Sequence, residues 1–153
     1  MTLKNDEYFM ARAIAQAKKA LAYDEVPVGA VVVREGKIIA RAHNLRETKK
    51  MPTAHAELLA MEKAAKKLGG WRLIGCTLYV TLEPCPMCAG TAVNARIPRI
   101  VFGAYDQKAG AMGSVYTLQE GKLNHTPEVL GGILAQECAE LLSGYFKQKR
   151  GGK

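Results

Sequence analysis

Thr77-Leu78-Tyr79-Val80-Thr81-Leu82-Glu83-Pro84-Cys85-Pro86-Met87-Cys88 passes from one kind of structure to another within a single short stretch. Thr77 to Leu82 is a run of β-branched and apolar residues, the pattern of a strand buried on both faces. Pro86 then suits the first helical position, where a missing N–H costs nothing. That makes Cys85 the N-cap and Cys88 the third residue of a short helix. The helix must stop before Ile97-Pro98, because a residue preceding proline resists the helical region. A buried strand feeding directly into a helix is the repeating unit of α/β architectures.

The flanking sequence extends the same alternation. A first helix is expected from about Asp6 to Ala22, with Met10, Ala13, Ala17 and Leu21 on its apolar face and Arg12, Gln16 and Lys19 off it. Val28 to Val33 reads as a strand, turned back at Glu35-Gly36 into a second one over Lys37 to Ala42. Thr53 is the candidate N-cap of a helix that carries Leu58, Met61, Ala65 and Leu68 on one face and stops at Gly69-Gly70. Beyond the Cys85–Cys88 helix come a strand at Ile100 to Ala104, a Gly-rich loop from Gly110 to Ser114 and a short strand at Glu128 to Leu130. A last helix follows from Ile133 to about Lys149, with Leu134, Cys138, Leu141 and Tyr145 in register. The order α-β-β-α-β-α-β-β-α predicts a three-layer α/β/α sandwich, with a mixed central sheet of about five strands and helices on both faces. Strands joined through helices should be parallel, with right-handed crossovers. No repeat, low-complexity tract or linker interrupts residues 1–153, which reads as one domain.

Composition narrows the setting. The chain is 48% hydrophobic and 24% charged, ordinary for a globular protein, and no stretch has the apolar length of a membrane span. Asp6 and Glu7 stand where an export or mitochondrial leader would carry basic residues, so a cytoplasmic location is expected. The excess of 22 basic over 14 acidic residues, net +8, favours polyanionic partners. After Glu140 the chain has Lys147, Lys149, Arg150 and Lys153 and no acid. Of the four cysteines, Cys76 and Cys138 sit in apolar surroundings and read as small buried hydrophobes, not as disulfide partners.

Two pieces carry chemistry: Thr53-Ala54-His55-Ala56-Glu57 and Pro84-Cys85-Pro86-Met87-Cys88. Sulfurs gathered at a helix N-terminus are stabilised as thiolates, which suits either a redox pair or a metal. His55 separates the cases, since it too lies at a helix start that can meet Cys85 at one end of a sheet. Two thiolates and an imidazole match zinc in ligand type. Three protein ligands leave a fourth position for water, and His43, His125, Cys76 and Cys138 do not stand at ligand spacing to close it. Glu57 is then placed to take a proton from that water and return it.

His55-Ala56-Glu57 with Pro84-Cys85-Pro86-Met87-Cys88 resembles the cytidine/deoxycytidylate deaminase superfamily, whose H-x-E and P-C-x-x-C motifs bind one zinc per chain and use the Glu as the proton shuttle. The resemblance implies the corresponding fold, with His55, Cys85 and Cys88 as zinc ligands, Glu57 as the catalytic acid and base, and no organic cofactor. Glu25 to Val31, His43-Asn44 and Phe102 to Ser114 further resemble the bacterial tRNA-specific adenosine deaminases. By that resemblance the substrate is the wobble adenosine of a tRNA anticodon stem-loop. Asn44 would bond the target base, Val28 would line the pocket, and Asp106 and Lys108 would touch the RNA beside it. The resemblance also implies a homodimer. Tyr145 to Arg150, mixing aromatics with cations, suits an RNA-facing helix end or a frayed basic terminus equally. A guanine or other free-base deaminase, a non-catalytic zinc-stabilised RNA-binding module and a C-x-x-C redox protein remain open alternatives at this point.

Overall fold

The structure, a computed structural model, describes residues 3–151; Lys153 of the basic tail lies outside them. The elements run α1 (Leu3–Leu21), β1 (Gly29–Arg34), β2 (Lys37–His43), α2 (Arg46–Lys49), α3 (Ala56–Leu68), β3 (Cys76–Leu82), α4 (Pro86–Asn94), β4 (Arg99–Ala104), a 3-10 turn (Leu118–Glu120), β5 (Glu128–Leu130) and α5 (Ala135–Gly151). One five-stranded sheet has the order β2-β1-β3-β4-β5. β1 is antiparallel to both neighbours, while β3, β4 and β5 pair in parallel, so every strand except β1 points the same way.

Alternation along the strands divides the core into two layers. Val31, Val33, Tyr79 and Val101 face α1 and α5, packing on Phe9, Met10, Ala13 and Cys138. Ala30, Val32, Leu78, Val80, Ile100 and Phe102 face α3 and α4. This is the expected three-layer sandwich with a mixed sheet. α1 lies so close to β1 that a Cβ at Gly29 would overlap the Ala13 carbonyl and the Ala17 nitrogen. The β1–β2 hairpin turns through Glu35 (φ 53°) and Gly36 (φ 75°), the two successive positive values a tight hairpin needs. Cys76 and Cys138 are buried as expected. Among the described residues no helix is long and apolar enough to cross a membrane.

Several local expectations need correction. Thr53 does not cap α3: the His55 N–H bonds back to the Thr53 carbonyl (2.8 Å), and the helix begins at Ala56 with His55 as its N-cap. Of the face expected for α3, Met61 is buried, Leu58 and Ala65 are half-buried and Leu68 is exposed; the helix settles onto the sheet mainly through the small Ala56, Ala60 and Ala64. On α1, Gln16 is buried and Leu21 exposed. Ile133 and Leu134 precede α5, with Leu134 in the left-handed region (φ 54°), so the helix starts two residues late. The short helix α2 carried no periodicity long enough to announce it.

Candidate metal centre and substrate pocket

The carboxyl ends of β2, β3 and β4 lie at one edge of the sheet, and ligand sites in α/β sheets form at that edge. β2 ends one residue before Asn44, β3 three residues before Cys85 and β4 two residues before Asp106. α3 and α4 start at the same edge. Cys85 is the N-cap of α4, with Pro86 at N1 and Cys88 at N3, as the spacing predicted. His55, as N-cap of α3, has extended backbone (φ −76°, ψ 149°), so its ring leaves the chain before the helix begins. Residues two apart in a helix point about 200° apart, so His55 and Glu57 reach one place only because His55 stands outside the helix and Glu57 lies on its first turn.

His55 Nδ1 stands 3.7 Å from Cys85 Sγ and 3.5 Å from Cys88 Sγ. Tetrahedral zinc, with its bonds to nitrogen and sulfur, sets such donors about 3.6 Å apart. The three donor atoms all lie within 4.8 Å of one another, and among the described residues this is the group that could hold a metal. The electrostatics agree with the distances. A hydrogen bond from Cys88 and the neighbouring His55 ring hold the Cys85 thiol down to about 4. The Cys85 sulfur in turn raises His55 above its ordinary range. Cys88 is pushed up, because a second thiolate would stand beside Cys85 and Glu57 in a buried place. Two sulfurs thus share one imidazole, a donor set that a divalent cation would hold together and neutralise, while Glu57 lies beside it.

Glu57 is 4% exposed, and burial pushes its carboxyl up to about 7. It opens onto a cavity of about 230 Å³ together with His55 and Cys85. Pockets for drug-sized ligands start at roughly 300 Å³, so this one suits a single heterocycle. Val26, Val28 and Leu82 supply apolar wall; Asn44, Arg46, Asp106 and Phe146 bring polar, charged and aromatic groups.

Of the residues singled out in the sequence, the cavity brings together His55, Glu57, Cys85, Val28, Asn44 and Asp106. Lys108 is exposed and off the wall, and only its backbone N–H is engaged, donating to Asp106 Oδ1 (3.0 Å). Asn44 is buried, with Nδ2 donating to the Val26 carbonyl (3.3 Å) and Oδ1 accepting from the Arg46 N–H (3.1 Å). It therefore serves as a turn residue and still keeps one N–H and one lone pair for a ligand. Phe146 draws the basic aromatic end of α5 into the site, which favours the functional reading of that helix end.

The sequence reading missed two buried carboxylates, Glu83 in the cavity lining and Glu25, which holds the segment carrying Arg46 of that lining. Glu25 accepts from the Glu47 N–H (3.2 Å), the Thr48 N–H (2.6 Å) and the Thr48 hydroxyl (2.6 Å), and so holds α2 and Arg46 in place. Burial alone would raise its pKa, but those donors outweigh it and keep Glu25 below the usual carboxylate range. Glu83 does the same for the loop after β4. The signal available for Glu83 was an acid between a buried strand and Pro84-Cys85, a place where a solvated side chain does not belong.

Residues 4–150 match the MafB19-like deaminase family. The chain is 54% identical over 149 residues to the tRNA-specific adenosine deaminase of Bacillus subtilis, covering 97% of this chain and 92% of the relative. It superimposes with a TM-score of 0.84 on a solved structure from a study of A-to-I editing by tRNA:A34 deaminases at the wobble position, 44% identical over 88% of this chain and 99% of that one. The guanine deaminase of Nitrosomonas europaea is more distant, at 25% identity and a TM-score of 0.76, over 91% of this chain and 83% of that one.

Proposed function

The chain belongs to the MafB19-like deaminase family, and we propose that it hydrolyses the wobble adenosine of tRNA anticodons to inosine. The observation that carries this reading is a small cavity lined by His55, Cys85, the buried Glu57, Asn44, Arg46, Asp106 and Phe146, with Cys88 buried behind it to complete the donor group. His55 Nδ1, Cys85 Sγ and Cys88 Sγ would hold one zinc ion per chain, which supplies Lewis acidity and lowers the pKa of water toward about 7. No organic cofactor is required.

Glu57 performs the proton transfers. As a water oxygen adds to C6 of adenine, the carboxylate takes the water proton and passes it to N1. A second proton then reaches the amine, the C6–N bond breaks and ammonia leaves. Burial pushes the Glu57 carboxyl up, and a carboxyl raised above its ordinary range can both accept and release protons, as this two-way role needs. Val28 packs on the flipped-out base, and Asn44 bonds its edge with the capacity its turn leaves free. Asp106 accepts from a neighbouring ribose 2′-OH, while Lys108 and Arg46 meet flanking phosphates. The protein works as a homodimer in the cytoplasm, as the family resemblance implies.

Competition kinetics test the substrate. An anticodon stem-loop with adenosine at the wobble position should exceed free adenosine, guanine and cytidine by orders of magnitude in kcat/KM. Rapid turnover of guanine with the stem-loop untouched would instead make the chain a free-base deaminase. Binding of the stem-loop without inosine formation would leave a non-catalytic RNA module.

A further inference from the structure

Glu83 is 2% exposed, yet its carboxylate collects four hydrogen bonds from one loop. Oε1 accepts the Asp106 N–H (3.0 Å) and the Ser114 hydroxyl (2.5 Å). Oε2 accepts the Met112 N–H (2.9 Å) and the Ser114 N–H (3.0 Å). Gly110 crosses directly over the carboxylate, where a Cβ would overlap all three of its terminal atoms. Two backbone bonds complete the junction, Glu83 N–H to the Ala104 carbonyl and Ala111 N–H to the Pro84 carbonyl, both 2.9 Å. Both ends of the 106–114 loop therefore hang from one side chain, two residues before Cys85.

We propose that Glu83 is a positioning residue for RNA: it sets the distance between the loop that presents Asp106 and the segment that carries Cys85. The target base is fixed by the metal end of the cavity and the neighbouring sugar by Asp106, so both contacts form together only if these two pieces of chain stay in register. Glu83 is the side chain that joins them. A carboxylate suits the task because it offers four acceptor sites, matching the four donors, whereas a carboxamide offers two and would aim its own N–H groups at a backbone N–H. Asp106 is pre-set in the same way, its Oδ1 accepting from the Lys108 (3.0 Å) and Ala109 (3.2 Å) N–H groups. The inference rests on the reading of Asp106 as an RNA contact.

The test uses Glu83→Gln and Gly110→Ala in the zinc-loaded enzyme, with Asp106→Ala as reference and zinc content measured throughout. Gly110 lies against the carboxylate and has no left-handed backbone, so alanine there acts by pushing the loop and the carboxylate apart. Loss of register weakens binding of the stem-loop without touching the reacting atoms. KM should therefore rise at least tenfold in both variants, with single-turnover rate at saturating RNA within about threefold of wild type. The double variant should be less than the product of the singles, since both release the same loop. Unchanged KM with a lower rate or lower stability in both single variants overturns the proposal and leaves Glu83 a structural residue. If Glu83→Gln does not fold or loses zinc, Gly110→Ala decides: a raised KM supports the proposal and an unchanged one overturns it. Asp106→Ala with unchanged KM removes the RNA-contact reading, and the proposal with it. Asp106→Ala with raised KM, beside unchanged Glu83→Gln and Gly110→Ala, overturns the proposal alone.

Discussion

Asp6→Asn should be among the most damaging single changes in the sheet layer opposite the cavity. Asp6 is 1% exposed and receives both Arg99 guanidinium nitrogens at 2.7 Å, one on each oxygen, and the Tyr79 hydroxyl at 2.7 Å. The three groups tie α1 to β3 and β4. An asparagine of the same shape keeps one acceptor oxygen but turns an amide toward the guanidinium. Arg99, 15% exposed, would lose its charged bonds to Asp6, and Glu128, the other carboxylate beside it at 3.5 Å, is itself 70% exposed. Breaking one partner of a buried ion pair costs about 3–5 kcal/mol. At roughly 2–4 °C per kcal/mol for a domain of this size, Tm should fall by about 6–20 °C. Acid should erase the difference. Burial alone would raise Asp6, but the Arg99 and Tyr79 bonds outweigh it and hold the carboxyl below its ordinary 3.8. A depressed folded pKa contributes stability that is full above the unfolded value and lost as pH falls through the folded one. Urea unfolding of both proteins should thus give a constant gap above about pH 5 that narrows below about pH 4. A gap under about 1 kcal/mol at neutral pH, or one that is unchanged at pH 3, refutes this account of the network.

The remaining predictions concern the site. Cys85→Ser and Cys88→Ser should each remove zinc and activity together, by metal analysis and inosine assay; full activity in a zinc-free protein rules out the metal reading. Glu57→Ala should keep its zinc, since Glu57 is not among the donors, and lose about 10²–10⁴ in turnover; a metal-free or fully active variant removes its proton-shuttle role. Stem-loop binding should weaken linearly in log affinity against log salt, and Lys108→Ala should flatten the slope by about 0.7 for each phosphate the lysine neutralises. An unchanged slope and affinity would place Lys108 outside the interface.

What the sequence made legible was local or periodic. Pro86 announces α4, and with it the placement of Cys85 and Cys88, because the helix-start rule acts within one turn. The strands were readable because Val28–Val33 and Thr77–Leu82 lack any competing pattern. The roles of the buried acids were not readable: Asp6 stands in the first turn of α1 like any helix-start acid, and although the place of Glu83 beside a buried strand signals burial, nothing near it or Glu25 in sequence names their partners. Their partners, Arg99, Thr48 and Ser114, lie between 23 and 93 positions away along the chain. The start of α3 was misplaced for a related reason. Thr53 is a good cap in isolation, but the turn ending in the His55 N–H to Thr53 carbonyl bond delays the helix and leaves His55 extended. The requirement met there is a shared donor geometry with β3–α4, which no window around residue 55 contains.

The size of the cavity bears on where specificity resides. A space of about 230 Å³ admits one heterocycle and little more, so the base itself supplies limited contact area. A protein that took a free purine could close such a space completely and would gain nothing from positive charge outside it. Here Arg46 and Phe146 stand at the cavity, and α5 continues past Phe146 into Lys147, Lys149 and Arg150. Lys149 pairs with Asp24 (2.5 Å) and the Tyr145 hydroxyl donates to the Asp24 carbonyl (3.2 Å), which fixes the helix end that carries Phe146. On the proposed function, discrimination between an RNA and a free base falls on these elements and on the Asp106 loop, while the His55–Cys85–Cys88 donors and Glu57 would serve a reaction common to both substrates.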